Sequence, residues 1–548
     1  MAVRFSIILV FIFGAYALLV FNLYNLQIVG GKGYIARADS QAAGLDWQVG
    51  RRGSIFFTDR NGNLMQMAAI KDVPFVFAVP KDMDDVAETV HQLVAVTGQD
   101  PNEIITSLKG KKQVALEKKA SADLVEKIDD LKLKGIYTSV KPTRSYPLSS
   151  LAAHLLGFVS PDSEGVGESG RYGVEKFYDN ELKGSSSTTK SGGWNQGEDL
   201  YLTIEPNVQK EAERILNDIV NRFQAVSGLA IVQEPKTGKI LALAGEPTFD
   251  PNKYQESDLS TFLNPATQKI YEPGSIFKVL TMAAGIDAGK ITPQTTYVDK
   301  GKLTLNGRTV SNWDYKTHGA YGKITMTDVI ENSINTGAIF AEKTTGHKVF
   351  TDYMKKFGLD EETGVELPGE LSGNLKRLNS KEPDVAFATA SYGQGVAVTP
   401  VGLLSAVGVL ANKGLLMRPY VNAESTATVV RRVVSEKTAK QVTDMMVSAV
   451  KLNKVAHIPG YSIAGKTGTA FIPDFNHGGY TTEVFNTYIG YGPTSDPKFI
   501  ILFRLEKPVG APLAGTSVVP AFREMAQFMI NYYDIPPDHP EETKKATL

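Results

Sequence analysis

One short stretch limits the folds open to this chain more than any other: YEPGSIFKVLTMAAGIDAG, Tyr271 to Gly289. Between Gly274 and Thr281 only Ser275 and Lys278 are strongly polar, and Ile276, Phe277, Val279 and Leu280 surround them. Met282, Ala283, Ala284 and Ile286 continue the apolar run. A helix that is apolar on every side belongs in a core, so other elements must cover this one all round. Lys278 goes in with it. A buried ammonium is costly unless it is paired or loses its proton. Either the lysine reaches water along its own stem, or it is held inside for chemistry.

The flanking pattern says what covers the helix. GLAIVQEPKTGKILALAG reads as a hairpin. YSIAGKTGTAFIP, VFNTYIGYG and KFIILFRLEKP read as a three-strand antiparallel meander, and GTSVVPAFREMAQFMINYY as an amphipathic helix. Helices on an antiparallel sheet predict an α+β domain with the sheet between helical layers, not a doubly wound one. Upstream, GSIFFTDRNG and VPFVFAVP predict short strands. Leu116, Leu124, Ile128 and Leu131 fall at roughly helical spacing in a charged segment. GSSSTTKSGGWNQGED is a Gly/Ser-rich connector. The expected divisions are residues 1–26, 27–184, a connector at 185–199, a main domain at 200–535 and a flexible tail at 536–548.

The first residues place the rest. Arg4 precedes an apolar run from Phe5 to Phe21 broken only by Ser6, with Leu23 and Leu26 beyond. That approaches the ~20 residues that span a bilayer. Ala15-Tyr16-Ala17 resembles a signal-peptidase site, but the run continues through Leu18 to Phe21, where a signal peptide should already be polar. The expectation is a single-pass anchor in the inner or plasma membrane, N-terminus in the cytoplasm, with the remaining chain outside. The chain's 548 residues carry a net charge of −1 and no cysteine. This balance gives no reason to expect a nucleic-acid partner, and thiol catalysis, disulfides and cysteine metal sites are excluded. The seven histidines show no close metal spacing.

Ser-x-x-Lys alone says little, because it occurs four times. Ser187–Lys190 lies in the connector, Ser448–Lys451 on the helix QVTDMMVSAVKLNK, and Ser495–Lys498 across a turn with Pro497. Only Ser275–Lys278 follows a Pro-Gly break and opens a buried helix. Residues three apart share a helix face, so the amine reaches the hydroxyl. A neutral amine can take the serine proton; reaching neutrality near pH 7 needs a downward shift of roughly 3 units, which burial and a second cation can supply. Ser333-Ile334-Asn335 and Lys466-Thr467-Gly468-Thr469 follow in order. Each short motif has a decoy, Ser372–Asn374 and Lys236–Gly238, the latter at a predicted hairpin tip. The ordered series S-x-x-K, S-x-N, K-T-G is the signature of penicillin-binding proteins and serine β-lactamases.

At this point the chain resembles the class B penicillin-binding proteins, the monofunctional D,D-transpeptidases of peptidoglycan synthesis. RRGSIFFTDRNGNLMQMA, RSYPLSSLAAHLLGFV, GRYGVEKFYDNELKG, YEPGSIFK, FGLDEETGVELPGE, YGQGVAVTPVGLLSAVGVLANKG and GKTGTA look like the family's landmarks. FGLDEETGVELPGE and the length lean toward the division-type branch over the elongation type. The resemblance implies a transmembrane anchor, an elongated α+β pedestal at 27–184 and a transpeptidase domain at 200–535. It implies Ser275 as nucleophile, Lys278 as its base, and Ser333 as proton relay. Asn335 would bind the donor peptide's amide. Lys466 would hold the terminal carboxylate and disfavour a proton on Lys278, and Thr467 and Thr469 would hydrogen-bond that carboxylate. Gly468 would admit the substrate backbone, and the N–H groups of Ser275 and Thr469 would form the oxyanion hole. No metal or cofactor is implied. The implied partners are peptidoglycan stem peptides, β-lactams, a membrane-embedded glycosyltransferase and other division proteins.

Two rivals share the motifs. In a β-lactamase, Glu370-x-x-x-Asn374 would have the spacing of a deacylating glutamate. A non-catalytic β-lactam sensor would keep the fold without turnover. The anchor and the long N-terminal region argue against the first, and intact Ser275, Lys278 and Lys466 against the second.

Overall fold

The computed structural model describes residues 16, 19–20, 51–161, 168–183 and 196–542. Most of the expected anchor at 1–26, most of the connector, with its Ser187–Lys190 pair, and residues 543–548 lie outside the described residues. Among the described residues no helix is long and apolar enough to cross a membrane. The chain divides into two compact units, Met1–Gly53 with Ala69–Ser145 and Lys183–Gly197, and Ser54–Ala68 with Tyr146–Leu182 and Glu198–Leu548.

Strands β1 (Ile55–Thr58) and β2 (Leu64–Ala78) form an antiparallel hairpin, Ile55 opposite Ala68. Asp59 closes its turn by accepting from the backbone N–H groups of Asn61 and Asn63, both at 2.8 Å. The two short strands expected from sequence are thus β1 and the far end of one long β2. The first unit is built on residues 69–78 of β2. In chain order follow α1 (Val86–Thr97), α2 (Pro101–Leu108), β3 (Val114–Glu117), α3 (Ala122–Leu131) and β4 (Ile136–Ser145). Both β4 and β3 pair antiparallel with β2. Asp85, Asp100 and Ser121 cap the helices by accepting from first-turn N–H groups. Val76, Val90, Leu93, Ile104, Leu108 and Ile128 meet in the core. Leu116, expected to share a helix with Leu124 and Ile128, lies in β3 instead; the Ser121 cap starts the helix only after it.

The second unit contains β5 (Leu200–Leu202), α4 (Pro206–Arg222), β6 (Ser227–Gln233), β7 (Ile240–Glu246) and α5 (Phe277–Asp287). Then come α6 (Met326–Glu331), α7 (Asn335–Thr345), α8 (His347–Lys356), α9 (Asp384–Ala390), α10 (Pro400–Ala411) and α11 (Glu436–Asn453). Strands β8 (Ala464–Pro473), β9 (Tyr480–Gly492) and β10 (Phe499–Glu506) and helix α12 (Ala514–Tyr532) complete it. The five-stranded sheet has the order β8-β9-β10-β6-β7, antiparallel throughout, so the meander and the hairpin join along β10 and β6.

Both faces of this sheet are covered. Phe499, Ile501, Phe503 and Leu505 point into the layer of α4 and α12, while Ile500 and Leu502 point into the layer that holds α5. That alternation gives the expected three-layer α+β arrangement. Helix α5 is buried at every residue from Phe277 to Ile286, packed among α6, α7, α8, α10 and α11. Part of the expected tail is docked: Asp538 accepts from Ser462 N–H at 2.8 Å, and His539 N–H donates to the Gly460 carbonyl at 3.0 Å.

Asp287 pins the end of α5. Its carboxylate accepts from Tyr353 Oη at 2.7 Å on α8, and from Ser435 N–H at 2.8 Å and Thr438 Oγ1 at 2.9 Å at the start of α11. Burial raises its pKa, but these donors outweigh burial and leave it below the usual value. Stability from Asp287 is therefore complete above the unfolded carboxyl pKa and is lost as pH falls through the lower folded value. Asp287→Ala is expected to destabilise the unit by about 2–3 kcal/mol at pH 7. The gap to wild type should narrow in acid, as read by denaturant melts at both pH values.

Candidate active site

Ser275 lies not in α5 but one step ahead of it, in a 3₁₀ turn, Gly274–Ile276. The turn is held from one side by residues 393–398. Tyr271 and Val398 exchange two backbone hydrogen bonds, both 3.0 Å, and Gly274 N–H donates to the Gly393 carbonyl at 3.1 Å. Glu272 adds a clamp: one carboxylate oxygen accepts from Gly395 N–H at 2.9 Å and the other from Tyr480 Oη at 3.0 Å. A Cβ on Gly393 would lie 2.2 Å from the Gly274 carbonyl, so the approach requires glycine there.

From the other side comes β8, the edge strand of the sheet. Gly468 faces the turn. A Cβ at that position would lie 2.6 Å from the Pro273 carbonyl oxygen and 3.0 Å from Ile276. The protein's own turn therefore requires glycine here. A Cβ on Gly274 would in turn lie 3.0 Å from the Thr469 carbonyl oxygen, which puts Ser275 and Thr469 side by side.

The three motifs converge. Lys278 Nζ lies 3.0 Å from Ser275 Oγ, 2.5 Å from the Ser333 carbonyl oxygen and 3.2 Å from Ser333 Oγ. Lys466 Nζ donates to Ser333 Oγ at 3.0 Å and to Thr467 Oγ1 at 3.3 Å. Ser333 therefore stands between two amines. Its φ is +57° in the junction between α6 and α7. A non-glycine residue there costs about 1 kcal/mol or more. That conformation presents both its carbonyl and its hydroxyl to Lys278.

Neither lysine snorkels. Lys278 is 0% and Lys466 4% exposed. Burial, and then the Lys466 cation, hold the Lys278 amine well below the usual lysine range, while Asp314 pulls the other way. Burial alone lowers Lys466 to about 7. Asp314, on the loop before α6, accepts from Tyr321 Oη at 2.6 Å, and its other oxygen is buried with no partner.

The remaining expected residues are close but differently engaged. Asn335 opens α7 and donates through Nδ2 to the Ser311 carbonyl at 2.9 Å. Thr467 is partly exposed on β8. Thr469 Oγ1 accepts from Ala514 N–H at 3.2 Å, at the start of α12. A groove of about 800 Å³ opens over Ser275, Ser333, Lys466, Thr467 and Thr469. Trp313 and Glu331 also line it. Neither they nor Asp314 belong to a recognisable sequence motif. The SNWD run beside an exposed aromatic was the signal available for the first and last.

The decoys separate cleanly. Lys236 sits at the β6–β7 turn and ion-pairs with Asp496. Ser448, on α11, donates to Glu331. Glu370 accepts from Thr363 N–H, Thr363 Oγ1 and Gly364 N–H, and does not line the groove. It is a loop-closing carboxylate, which removes the one feature that favoured a β-lactamase. Among the described residues no cluster could hold a metal ion.

Two family models match the chain: the penicillin-binding protein transpeptidase domain over residues 228–527, and the penicillin-binding protein dimerisation domain over residues 48–211. Fold and site together thus define a penicillin-binding transpeptidase. Stage V sporulation protein D of Bacillus subtilis is 31% identical across 94% of this chain and 84% of that protein. The probable peptidoglycan D,D-transpeptidase PenA of Neisseria gonorrhoeae is 26% identical across 98% and 94%. Penicillin-binding protein 3 of Mycobacterium tuberculosis, solved with aztreonam, has the same fold, with TM-score 0.70 and 24% identity across 89% of this chain and 98% of that one. The chain belongs to the class B penicillin-binding proteins, the monofunctional peptidoglycan D,D-transpeptidases of cell-wall synthesis and targets of β-lactams.

The geometry at Gly468 makes a direct prediction. Gly468→Ala must push the Ser275 turn away from β8, since the nearest atom is backbone. It is expected to slow penicillin acylation about 10–100-fold while the chain still folds, read by stopped-flow acylation beside a melting curve.

Proposed function

We propose that Ser275 is the acyl-carrying nucleophile and that Lys278, as a neutral amine, is its base. The observation that carries this is the chain Ser275–Lys278–Ser333–Lys466, two buried amines bridged by one serine. In the donor half, Lys278 takes the Ser275 proton as Oγ attacks the carbonyl before the terminal D-alanine. The oxyanion meets the N–H groups of Ser275 and Thr469, a reading supported by the close approach of Gly274 to Thr469. The C–N bond breaks, and the proton passes through Ser333 to the leaving amine. In the acceptor half, an amine of a second stem peptide attacks the ester and gives up its proton along the same chain, and Ser275 is regenerated.

Lys466, with Thr467 and Thr469, holds the terminal carboxylate. Thr469 Oγ1 accepts from Ala514 N–H at 3.2 Å and donates to Asn486 Oδ1 in a long bond of 3.4 Å, which its hydroxyl exchanges for the carboxylate. Asn335, oriented by Ser311, receives the donor amide, and an extended peptide lies along the free edge of β8, whose close pass over the Ser275 turn at Gly468 aligns peptide and nucleophile. The domain divisions at 26, 184, 199 and 535 and a single-pass anchor at Met1–Leu26, N-terminus cytoplasmic, complete the reading. The likeness of FGLDEETGVELPGE to the division branch supports a septal role, with a membrane-embedded glycosyltransferase and other division proteins as partners.

Mass spectrometry of the penicillin-treated protein is the test: one adduct is expected, mapped to Ser275 and absent from Ser275→Ala. An adduct on Ser448 or Ser495 overturns the assignment. Lys278→Arg is expected to be inactive, because a guanidinium does not give up its proton. Lys466→Ala should slow acylation about 10–150-fold, and Lys236→Ala less than about twofold. Acylation should rise with pH as Lys278 deprotonates, at a pH well below the usual lysine range. Losing the Lys466 cation should move that limb to higher pH, since a neighbouring charge no longer opposes the proton; an unmoved limb means Lys278 is not the titrating base. Deleting Met1–Leu26 should give a soluble protein that still takes up penicillin; a folded, soluble product that does not would count against the anchor reading.

A further inference from the structure

The transpeptidation reading leaves one end of the groove unused. Glu331 lines it, two residues before Ser333 at the end of α6. One of its carboxylate oxygens accepts from Ser448 Oγ on α11, and Asn453 Nδ2 reaches its carbonyl. Among the described residues no lysine, arginine or histidine pairs with it. The groove's other carboxylate, Glu483, is neutralised by Lys507 at 2.7 Å. Glu331 is thus a fixed and uncompensated negative charge in a partly desolvated groove.

Trp313 stands beside it. The indole is 60% exposed, yet it is not loose: Nε1 donates to the Asn332 carbonyl at 3.2 Å, one residue from Glu331. Its loop is tied down as well. Asp299 accepts from Asn312 Nδ2 at 3.2 Å, Tyr321 N–H at 2.8 Å and Thr336 Oγ1 at 2.5 Å. An exposed aromatic face held rigidly beside a lone carboxylate is a cation site: the ring quadrupole and the carboxylate attract the same charge. An apolar ligand would desolvate Glu331 with only the Ser448 hydroxyl to offset the cost, and an anion would be repelled.

We propose that Glu331 and Trp313 hold a primary ammonium of a stem peptide. The inference rests on the transpeptidase reading and names a group that this reading leaves open. The ammonium belongs either to the acceptor strand, whose amine resolves the acyl-enzyme, or to a side chain of the donor. Held as a cation it is unreactive; an acceptor amine must leave the carboxylate side without its proton before it attacks the ester on Ser275.

The experiment has two arms on the full chain. In the acceptor arm, the acyl-enzyme is formed from a thioester donor and resolved by a stem-peptide amine or by hydroxylamine, which carries no charge at neutral pH. In the donor arm, acylation is compared for a peptide with lysine at its third position, free or Nε-acetylated. Wild type is expected to prefer the charged partner in one arm, and that arm names the strand. Glu331→Gln should cut that preference about tenfold through KM, as expected for one partly buried charge contact. Glu331→Asp should keep most of it, and Trp313→Leu should lose part. Wild type indifferent to charge in both arms overturns the proposal without any variant, as does a preference that survives Glu331→Gln. Penicillin labelling of wild-type Ser275 is run alongside. A missing adduct overturns the transpeptidase reading itself, whereas a normal adduct with no charge preference overturns only the ammonium site.

Discussion

Keeping the amine of Lys278 out of water is the constraint on which the rest of this unit depends. Helix α5 can be apolar on every side only because other helices and the sheet cover it. Covering it strands a lysine, and the molecule resolves this locally. Among the described residues the hydrogen-bond partners of Nζ are serine oxygens, of Ser275 and Ser333, and no carboxylate pairs with the amine directly. Had one of them been aspartate, the pair would have stayed charged and the amine would have been useless as a base. Asp314 is the carboxylate that pulls the amine's pKa back up, and it is spent partly on Tyr321. The left-handed backbone of Ser333 follows from the same demand, since a helical residue there could not turn both its oxygens toward one amine.

A second constraint is the bare edge of the sheet. Free edges invite pairing with other chains, and proteins usually blunt them. Here β8 stays at the edge, and its residues are divided by face. Lys466 and Gly468 look toward α5 and the Ser275 turn, whereas Gly465 looks toward Tyr488 and Thr469 toward the start of α12. Thr467 is left at the groove. The short helical turn at Ser275 depends on this strand as much as on α5, because Gly468 can pass so close only by lacking a side chain.

Much of this was legible in the sequence, and the reasons are physical. The hairpin and the last strand of the meander announced themselves as near-continuous apolar runs, because both faces of the sheet are buried, and α12 by its helical period, because one face is. The site triple was legible because three short motifs came in order on elements that could be guessed. What failed to show was the part with no local signal. A positive φ at Ser333 is invisible where the residue is not glycine. The clamp by Glu272, the close pass of Gly393 and the fully buried Arg504 all arise from segments far apart in the chain. Arg504 lies 4.9 Å from the Tyr271 ring and 5.4 Å from the Phe485 ring. Leu116 failed for the opposite reason: its helical spacing was accidental, and the Ser121 cap decided where the helix began.

The two Lys-Thr-Gly copies show where such a motif's chemistry resides. Both occupy the same sheet, and both glycines are forced by close contact, Gly238 against the Arg418 carbonyl and Gly468 against that of Pro273. Lys236 nevertheless projects from a turn and finds Asp496, so its charge is paid for by an ion pair and by water. Lys466 lies on the strand itself, 4% exposed, and among the described residues its partners are hydroxyls and a carbonyl. Desolvation lowers it to about 7, and no carboxylate opposes the shift. The difference between the copies is therefore one of burial. A lysine that has lost water and gained no counter-ion has one strong way to regain stability as a cation, which is to meet an incoming carboxylate, and that makes the edge-strand copy a receptor while the turn copy remains a surface residue.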